Sequence, residues 1–209
     1  MYTHEYRERR EPRAPSRPVV MPEEIRELWP CMWKYLEDRA LDGRIAESNG
    51  WYPTMDYQMC ARVVIPASSL TNSWPYFQAR LIVEAQPNVK RYVSPAAPRG
   101  DALAVVFPEK CVLGSIVVEG PMGALAAAGM GYVGVGLMGN KPGEAVLCHI
   151  EAIVKVYGDC YVIPDRDAFR EGAEITAKLW TRGVRCTLKS IQGAKDLAEL
   201  SPGLRKILI

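Results

Sequence analysis

Cys160-Tyr161-Val162-Ile163-Pro164-Asp165-Arg166-Asp167-Ala168 reads as a buried strand that runs directly into two carboxylates spaced one residue apart. Upstream, Ser115-Ile116-Val117-Val118 ends the same way, in Glu119-Gly120. Open α/β sheets bind their ligands in the crevice beyond the C-terminal ends of the strands, so two acidic strand ends point to one shared site. A carboxylate cluster is a hard, all-oxygen donor set, suited to Mg²⁺ or Mn²⁺ rather than zinc.

Around these strands the chain alternates. Strand and helix patterns follow one another as 115–118, 121–128, 132–136, 143–156, 160–163, 168–181 and 184–188, the order of a parallel sheet covered by helices. Before it, the runs Arg62-Val63-Val64-Ile65-Pro66, Tyr76 to Val83, Arg91-Tyr92-Val93 and Ala104-Val105-Val106-Phe107 are short, β-rich and separated by Pro, Ser and Asn, which predicts a small antiparallel sheet. Further upstream, Ile25, Leu28 and Trp29 recur at helical spacing after Pro22-Glu23-Glu24, predicting one helix that Pro30 interrupts. A second helix through Met32, Tyr35 and Leu36 is expected to end near Asp42-Gly43, with a turn at Asn49-Gly50. The fold class expected is α/β: a basic, disordered arm over 1–20, a small mixed α+β subdomain over 21–110, and a C-terminal domain over 111–209 whose parallel sheet is flanked by helices.

Composition narrows the function classes. With 26 Lys and Arg against 24 Asp and Glu the net charge is only +2, so any basic surface must be local. Two stretches qualify: the arm with Arg7, Arg9, Arg10, Arg13 and Arg17, and Asn88 to Pro95 together with Arg99. The longest apolar region, near Met122 to Met138, is broken by glycines and does not reach the roughly 20 residues of a membrane span. The arm has no apolar stretch of a secretory signal, which leads to the expectation of a soluble, cytoplasmic protein with no membrane partner. Cys31, Cys60, Cys111, Cys148, Cys160 and Cys186 lie far apart, as reduced thiols do, and His149, in a helix, is expected to pack rather than to catalyse.

Three other readings of these motifs compete with an acidic site. Gly134-Val135-Gly136-Leu137-Met138-Gly139 fits a dinucleotide fingerprint, with Asp159 about twenty residues later. That fingerprint needs its third glycine inside the helix it opens, whereas Asn140-Lys141-Pro142-Gly143 makes further loop here, so a glycine-rich turn beside the acids is the simpler account. Asp165 and Asp167 also match the paired aspartates of a dehalogenase-type phosphatase, but they come late in the domain and leave Glu119 without a role. A pair that merely caps the helix beginning at Ala168 would explain one aspartate only.

Together, Val117-Val118-Glu119-Gly120, Asp165-Arg166-Asp167 and Lys195-Asp196-Leu197-Ala198-Glu199-Leu200 resemble the Toprim domain of bacterial-type primases, topoisomerases and some nucleases. Arg62 to Pro66, Gln78-Ala79-Arg80-Leu81-Ile82, Lys90 to Pro95 and Tyr35 to Asp42 resemble the segments that precede Toprim in the catalytic core of DnaG-type primases, so the resemblance covers about residues 24 to 205. It implies a Mg²⁺ or Mn²⁺ site of Glu119, Asp165, Asp167 and Asp196, with Glu119, Asp165 and Asp167 catalytic and Glu119 either an ion ligand or a proton-transfer group. It further implies that Arg80, Lys90 and Arg91 hold template or nucleotide phosphate, the alternative for each being a solvated charge at a strand edge. The implied activity is synthesis of RNA primers on single-stranded DNA from ribonucleoside triphosphates, with a replicative helicase or zinc-bearing partner.

The chain also departs from that pattern. Primases usually carry further acids where this sequence has Gly123 and Ala198, which implies fewer or weaker ions, with Glu199 as a substitute. A zinc ribbon and a helicase-docking region are missing, as expected of a phage-encoded or mobile-element replication protein. A Toprim nuclease using the same carboxylates and a non-catalytic nucleic-acid-binding protein are the alternatives.

Overall fold

The computed structural model describes residues 15, 18–25, 27–59, 61–72, 74–84, 87–110, 112–139 and 142–208, with side chains through 205. Nearly all of the arginine-rich arm therefore lies outside the described residues, as do Cys60, Cys111 and the Asn140-Lys141 pair.

Two sheets carry the chain. Strands β1 (Tyr52–Pro53), β2 (Arg62–Pro66), β3 (Phe77–Leu81) and β4 (Tyr92–Val93) form an antiparallel sheet in sequence order. The second sheet contains β5 (Ala104–Val106), β6 (Ser115–Val118), β7 (Val133–Gly136), β8 (Cys160–Val162) and β9 (Cys186–Leu188) in the order β5-β7-β6-β8-β9. Its strands are parallel except β5, which pairs antiparallel with β7. Helices α3 (Pro121–Gly129), α4 (Glu144–Tyr157) and α5 (Phe169–Thr181) connect the parallel strands.

The expected Ala104–Phe107 strand is thus real but belongs to the second sheet. Alternation alone cannot say which neighbour completes a strand's hydrogen bonds, and here Val105 sits opposite Val135.

Both faces of the second sheet are covered, which explains why its central strand reads as a continuous apolar run. Ile116 and Val118 pack on the α3 side, in a core shared with Met32, Leu36 and Ile65 of the N-terminal half. Val117, Val133 and Val135 face the opposite side and pack with Ile150 of α4 and Ile175 and Leu179 of α5. Every residue of α3 from Pro121 to Ala128 is buried, so this helix lies wholly inside the core shared by the second sheet and the N-terminal half.

The N-terminal helices differ from expectation. Among the described residues, 22–29 form no helix; Ile25 N–H instead donates to Pro53 O (3.3 Å) and Leu28 N–H to the Glu47 carboxylate (2.8 Å). Pro30 does not interrupt a helix but opens one, α1 (Pro30–Glu37), at the first-turn position where its missing N–H costs nothing. Asp42-Gly43, expected as a helix end, is a start: Asp42 accepts from Arg44 N–H (2.9 Å) and caps α2 (Gly43–Ser48). The chain ends in α6 (Pro202–Leu208), whose buried Arg205 donates to the carbonyls of Arg39, Ala40, Leu197 and Ala198 and ties the C-terminus to the loop after α1.

His149 is buried on α4, with Nδ1 2.9 Å from Asp101 O, and so packs as expected. Cys31, Cys148, Cys160 and Cys186 are free thiols, and no helix among the described residues is long and apolar enough to cross a membrane.

Candidate acidic site and its basic wall

The strand order reverses around β6: α3 carries the chain to β7 on one side, and α4 returns it to β8 on the other. Glu119 follows β6 directly and Asp165 follows β8, so the two acids leave adjacent parallel strands at the switch point. Asp196 arrives from a third direction. The turn that carries it is pinned beside Asp165 by a hydrogen bond from Arg166 N–H to Lys195 O (2.8 Å), and Asp196 Oδ1 accepts from Glu199 N–H (2.9 Å).

Glu119, Asp165 and Asp196 line a single cavity of about 270 Å³ with Arg80, Arg91 and Lys195. Asp167 lies outside that lining and is exposed, although its charge acts on Glu119. Asp165 makes no capping hydrogen bond with its side chain, and the residue that caps α5 is Ala168, so the aspartates are not there to cap the helix.

The acids disturb one another. Burial, then the charges of Glu119 and Asp196, push Asp165 up to about 7, with Lys195 opposing. Burial and the Asp167 charge raise Glu119 as well, against the pull of Lys195 and a hydrogen bond with Asp165. The pair therefore holds a proton near neutral pH that two solvated carboxylates would not. Glu171, on the first turn of α5, adds to this field and was not singled out from the sequence, because an acid at a helix start reads as dipole compensation.

This donor set fits a hard divalent cation. Its carboxylates line one cavity, and the raised pKa of Asp165 and Glu119 marks a surplus of negative charge that a cation would relieve. Among the described residues no three such groups stand close enough to grip one ion as placed, so taking one up requires these side chains to turn inward.

Facing the acids is a basic wall built on the antiparallel sheet. Arg80 is 7% exposed on an inner strand, which removes the alternative of a solvated edge charge for this residue. Its Nε–H donates to Tyr35 Oη (3.0 Å), and its guanidinium lies 4.8 Å from the Tyr92 ring centre and 6.0 Å from that of Tyr35. Burial pushes the Tyr92 hydroxyl up to about 12, against the opposing charge of Arg80. Arg39 stacks on the other ring, 5.0 Å from Tyr35. Arg91 lines the cavity, whereas Lys90 is exposed and outside it. Arg39, Arg80 and Arg91 also line an adjoining open groove of about 770 Å³.

The Lys90-Arg91 backbone is held from below. Arg62, 6% exposed, donates to the carbonyls of Ala79 (3.2 Å), Lys90 (2.7 Å) and Arg91 (3.2 Å). We expect Arg62→Met to lower stability by about 2–3 kcal/mol, because it removes a charged donor from three carbonyls, of which Arg91 O keeps a bond from Leu81 N–H (2.9 Å). Urea unfolding should report that loss, and amide exchange should show faster opening at 87–92; unchanged exchange there would mean that Arg62 does not hold the segment.

No protein-family model matches the chain, and no curated protein matches it in sequence. In three dimensions it is similar to the RNA polymerase domain of Mycobacterium tuberculosis primase DnaG, at 14% identity over 85% of this chain and 74% of that one, with a TM-score of 0.58. Against the same domain in complex with a double-stranded DNA oligomer with a 6-nucleotide overhang the TM-score is 0.59, at 14% identity over 86% and 71% of the two chains. The Escherichia coli primase catalytic core gives 0.54, at 17% identity over 81% and 67%. The fold is that of the DnaG-type primase catalytic core.

Proposed function

We propose, on the premise of that fold, that the chain is a primase core: it joins ribonucleotides into short RNA on a single-stranded DNA template by divalent-metal-dependent nucleotidyl transfer. The observation that carries the reading is one cavity with Glu119, Asp165 and Asp196 on one wall and Arg80 and Arg91 on the other, in a primase-core fold. The acids belong to a Toprim domain in this reading, and Glu119, Asp165, Asp167 and Asp196 would hold Mg²⁺ or Mn²⁺. A bound divalent ion supplies neutralisation of phosphate charge and activation of an attacking 3′ oxygen.

The chain's own residues do the rest. Arg80 is stacked on Tyr92 and hydrogen-bonded to Tyr35, so its guanidinium is fixed before any phosphate arrives and loses little freedom on binding. Arg91 stands at the junction of the cavity and the adjoining groove, where a polynucleotide backbone running along the groove would meet the acids. Glu119 and Asp165 face each other across the cavity lining, and either, once ionised, would serve as a proton acceptor there. Start-site recognition and helicase coupling would come from a zinc-bearing or helicase partner.

Because start-site recognition is assigned elsewhere, the deciding experiment supplies a short RNA already annealed to single-stranded DNA, with labelled ribonucleotides and Mg²⁺ or Mn²⁺. Template-directed extension of the RNA is expected. Degraded template would instead identify a nuclease using the same acids, and an intact template with no extension would leave nucleic-acid binding without catalysis.

A further inference from the structure

Lys195 has no role in the function described so far. It lines the acidic cavity together with Glu119, Asp165 and Asp196. Its backbone is fixed on both sides: its carbonyl accepts from Arg166 N–H (2.8 Å), and its N–H donates to Glu199 Oε2 (3.3 Å). Its ammonium, by contrast, is paired with no carboxylate within 4.0 Å among the described residues, although its charge acts on both Glu119 and Asp165. A lysine so placed is an anchored stem with a mobile charged tip at the mouth of an acidic pocket.

We infer that Lys195 is a resident cation of this cavity, its ammonium taking the place of a second divalent ion, so that the carboxylates take up one ion at a time. The inference rests on the reading of the cavity as an ion site. When ionised, Glu119, Asp165, Asp196 and Glu199 bring four negative charges to the acidic wall, and Lys195 reduces that wall's total to three, with Arg39, Arg80 and Arg91 on the facing wall. One divalent ion leaves the cluster still negative, and a second would make it positive and repel Lys195 at close range. Gly123 and Ala198 add no further acid to this wall. A side chain at Gly123 would press on Val118, whose Cγ2 lies 3.1 Å from where a Cβ would stand, and Ala198 is 1% exposed beneath the Asp196 turn.

Counting free Mn²⁺ by electron paramagnetic resonance during titration of the full chain tests this without reference to activity. The wild type should bind one Mn²⁺ per chain. Lys195→Met should bind it about tenfold tighter, the effect of removing one like charge at close range, and should take a second ion. Lys195→Arg should restore wild-type behaviour, and Lys178→Met, which removes an exposed charge on α5 far from the cavity lining, should match the wild type. Two ions in the wild type, or unchanged affinity and stoichiometry in Lys195→Met, would overturn the inference while leaving the ion site standing. No Mn²⁺ bound by any of these proteins would overturn the ion site and the inference with it.

Discussion

Asp165→Asn should abolish RNA extension, by a factor of at least about 10³, and at the same time make the metal-free protein more stable. The loss follows from the position of Asp165 at the switch point, where one carboxylate is removed from a set that must hold a divalent ion against nucleotide phosphates. The gain follows from the charge the same residue brings. Asp165 is held up at about 7 against an ordinary value of 3.8, so the folded protein keeps a proton there that the unfolded chain releases. That raised value favours the folded state fully below about pH 4, and the advantage is lost as pH rises towards 7. Above pH 7 the folded protein carries the strained charge in full.

An amide of the same shape has no such charge. Because Asp165 is only half buried, solvent screens much of the penalty, and a gain of about 1–2 kcal/mol at pH 8 is a fair discount on the full shift. A rise of about 3–6 °C in melting temperature is expected, shrinking towards pH 5. Thermal melts of wild type and variant at pH 5 and pH 8 without metal would show it. Equal melting temperatures at both pH values would mean that the acids do not strain the fold, and extension within tenfold of wild type would remove Asp165 from the machinery.

The central strands β6 and β7 were legible in the sequence because every residue in them is buried, and α4 and α5 because each is long enough to show its period. The acids at strand ends were legible for the same reason, since a charge that follows four buried residues stands out. Residues that act through neighbours brought from far along the chain were not. Arg62 and Arg80 differ little as letters in short β-rich runs, yet one lies beneath the Lys90-Arg91 segment and the other between two tyrosines, Tyr35 from α1 and Tyr92 from β4. Lys195 was read as part of a motif carried by Asp196, and only the hydrogen bond to Arg166 N–H reveals that it stands in the cavity. The Pro22–Trp29 pattern misled for a related reason. Ile25 and Leu28 have helical spacing, but their backbone groups find partners in β1 and α2, and tertiary hydrogen bonds prevail over a short local period.

The glycines of Gly134-Val135-Gly136 carry the second large effect. In a dinucleotide site they would let backbone approach a pyrophosphate. In this fold they let a helix approach a strand: a Cβ at Gly134 would overlap the Ala124 carbonyl oxygen, and one at Gly136 would stand 2.8 Å from the Gly120 carbonyl carbon. Both obstacles are backbone of α3 and of the turn that enters it from Glu119, and α3, buried along its length in the shared core, has nowhere to retreat. Gly134→Ala should therefore cost about 3 kcal/mol or more and lower the melting temperature by about 10 °C, and Gly134→Val should leave little folded protein. Gly143→Ala, at the start of α4 where a Cβ meets no atom within 4 Å, should cost no more than about 1 kcal/mol, the loss of a better N-cap residue. The two roles are separable by the same measurement. A Gly134→Ala protein that melts like the wild type would show that β7 does not need the close approach of α3 and would reopen the phosphate reading. A protein that unfolds early assigns the motif to packing, and because Gly120 at the start of α3 adjoins Glu119, the acidic site then depends on glycines that never touch its ligand.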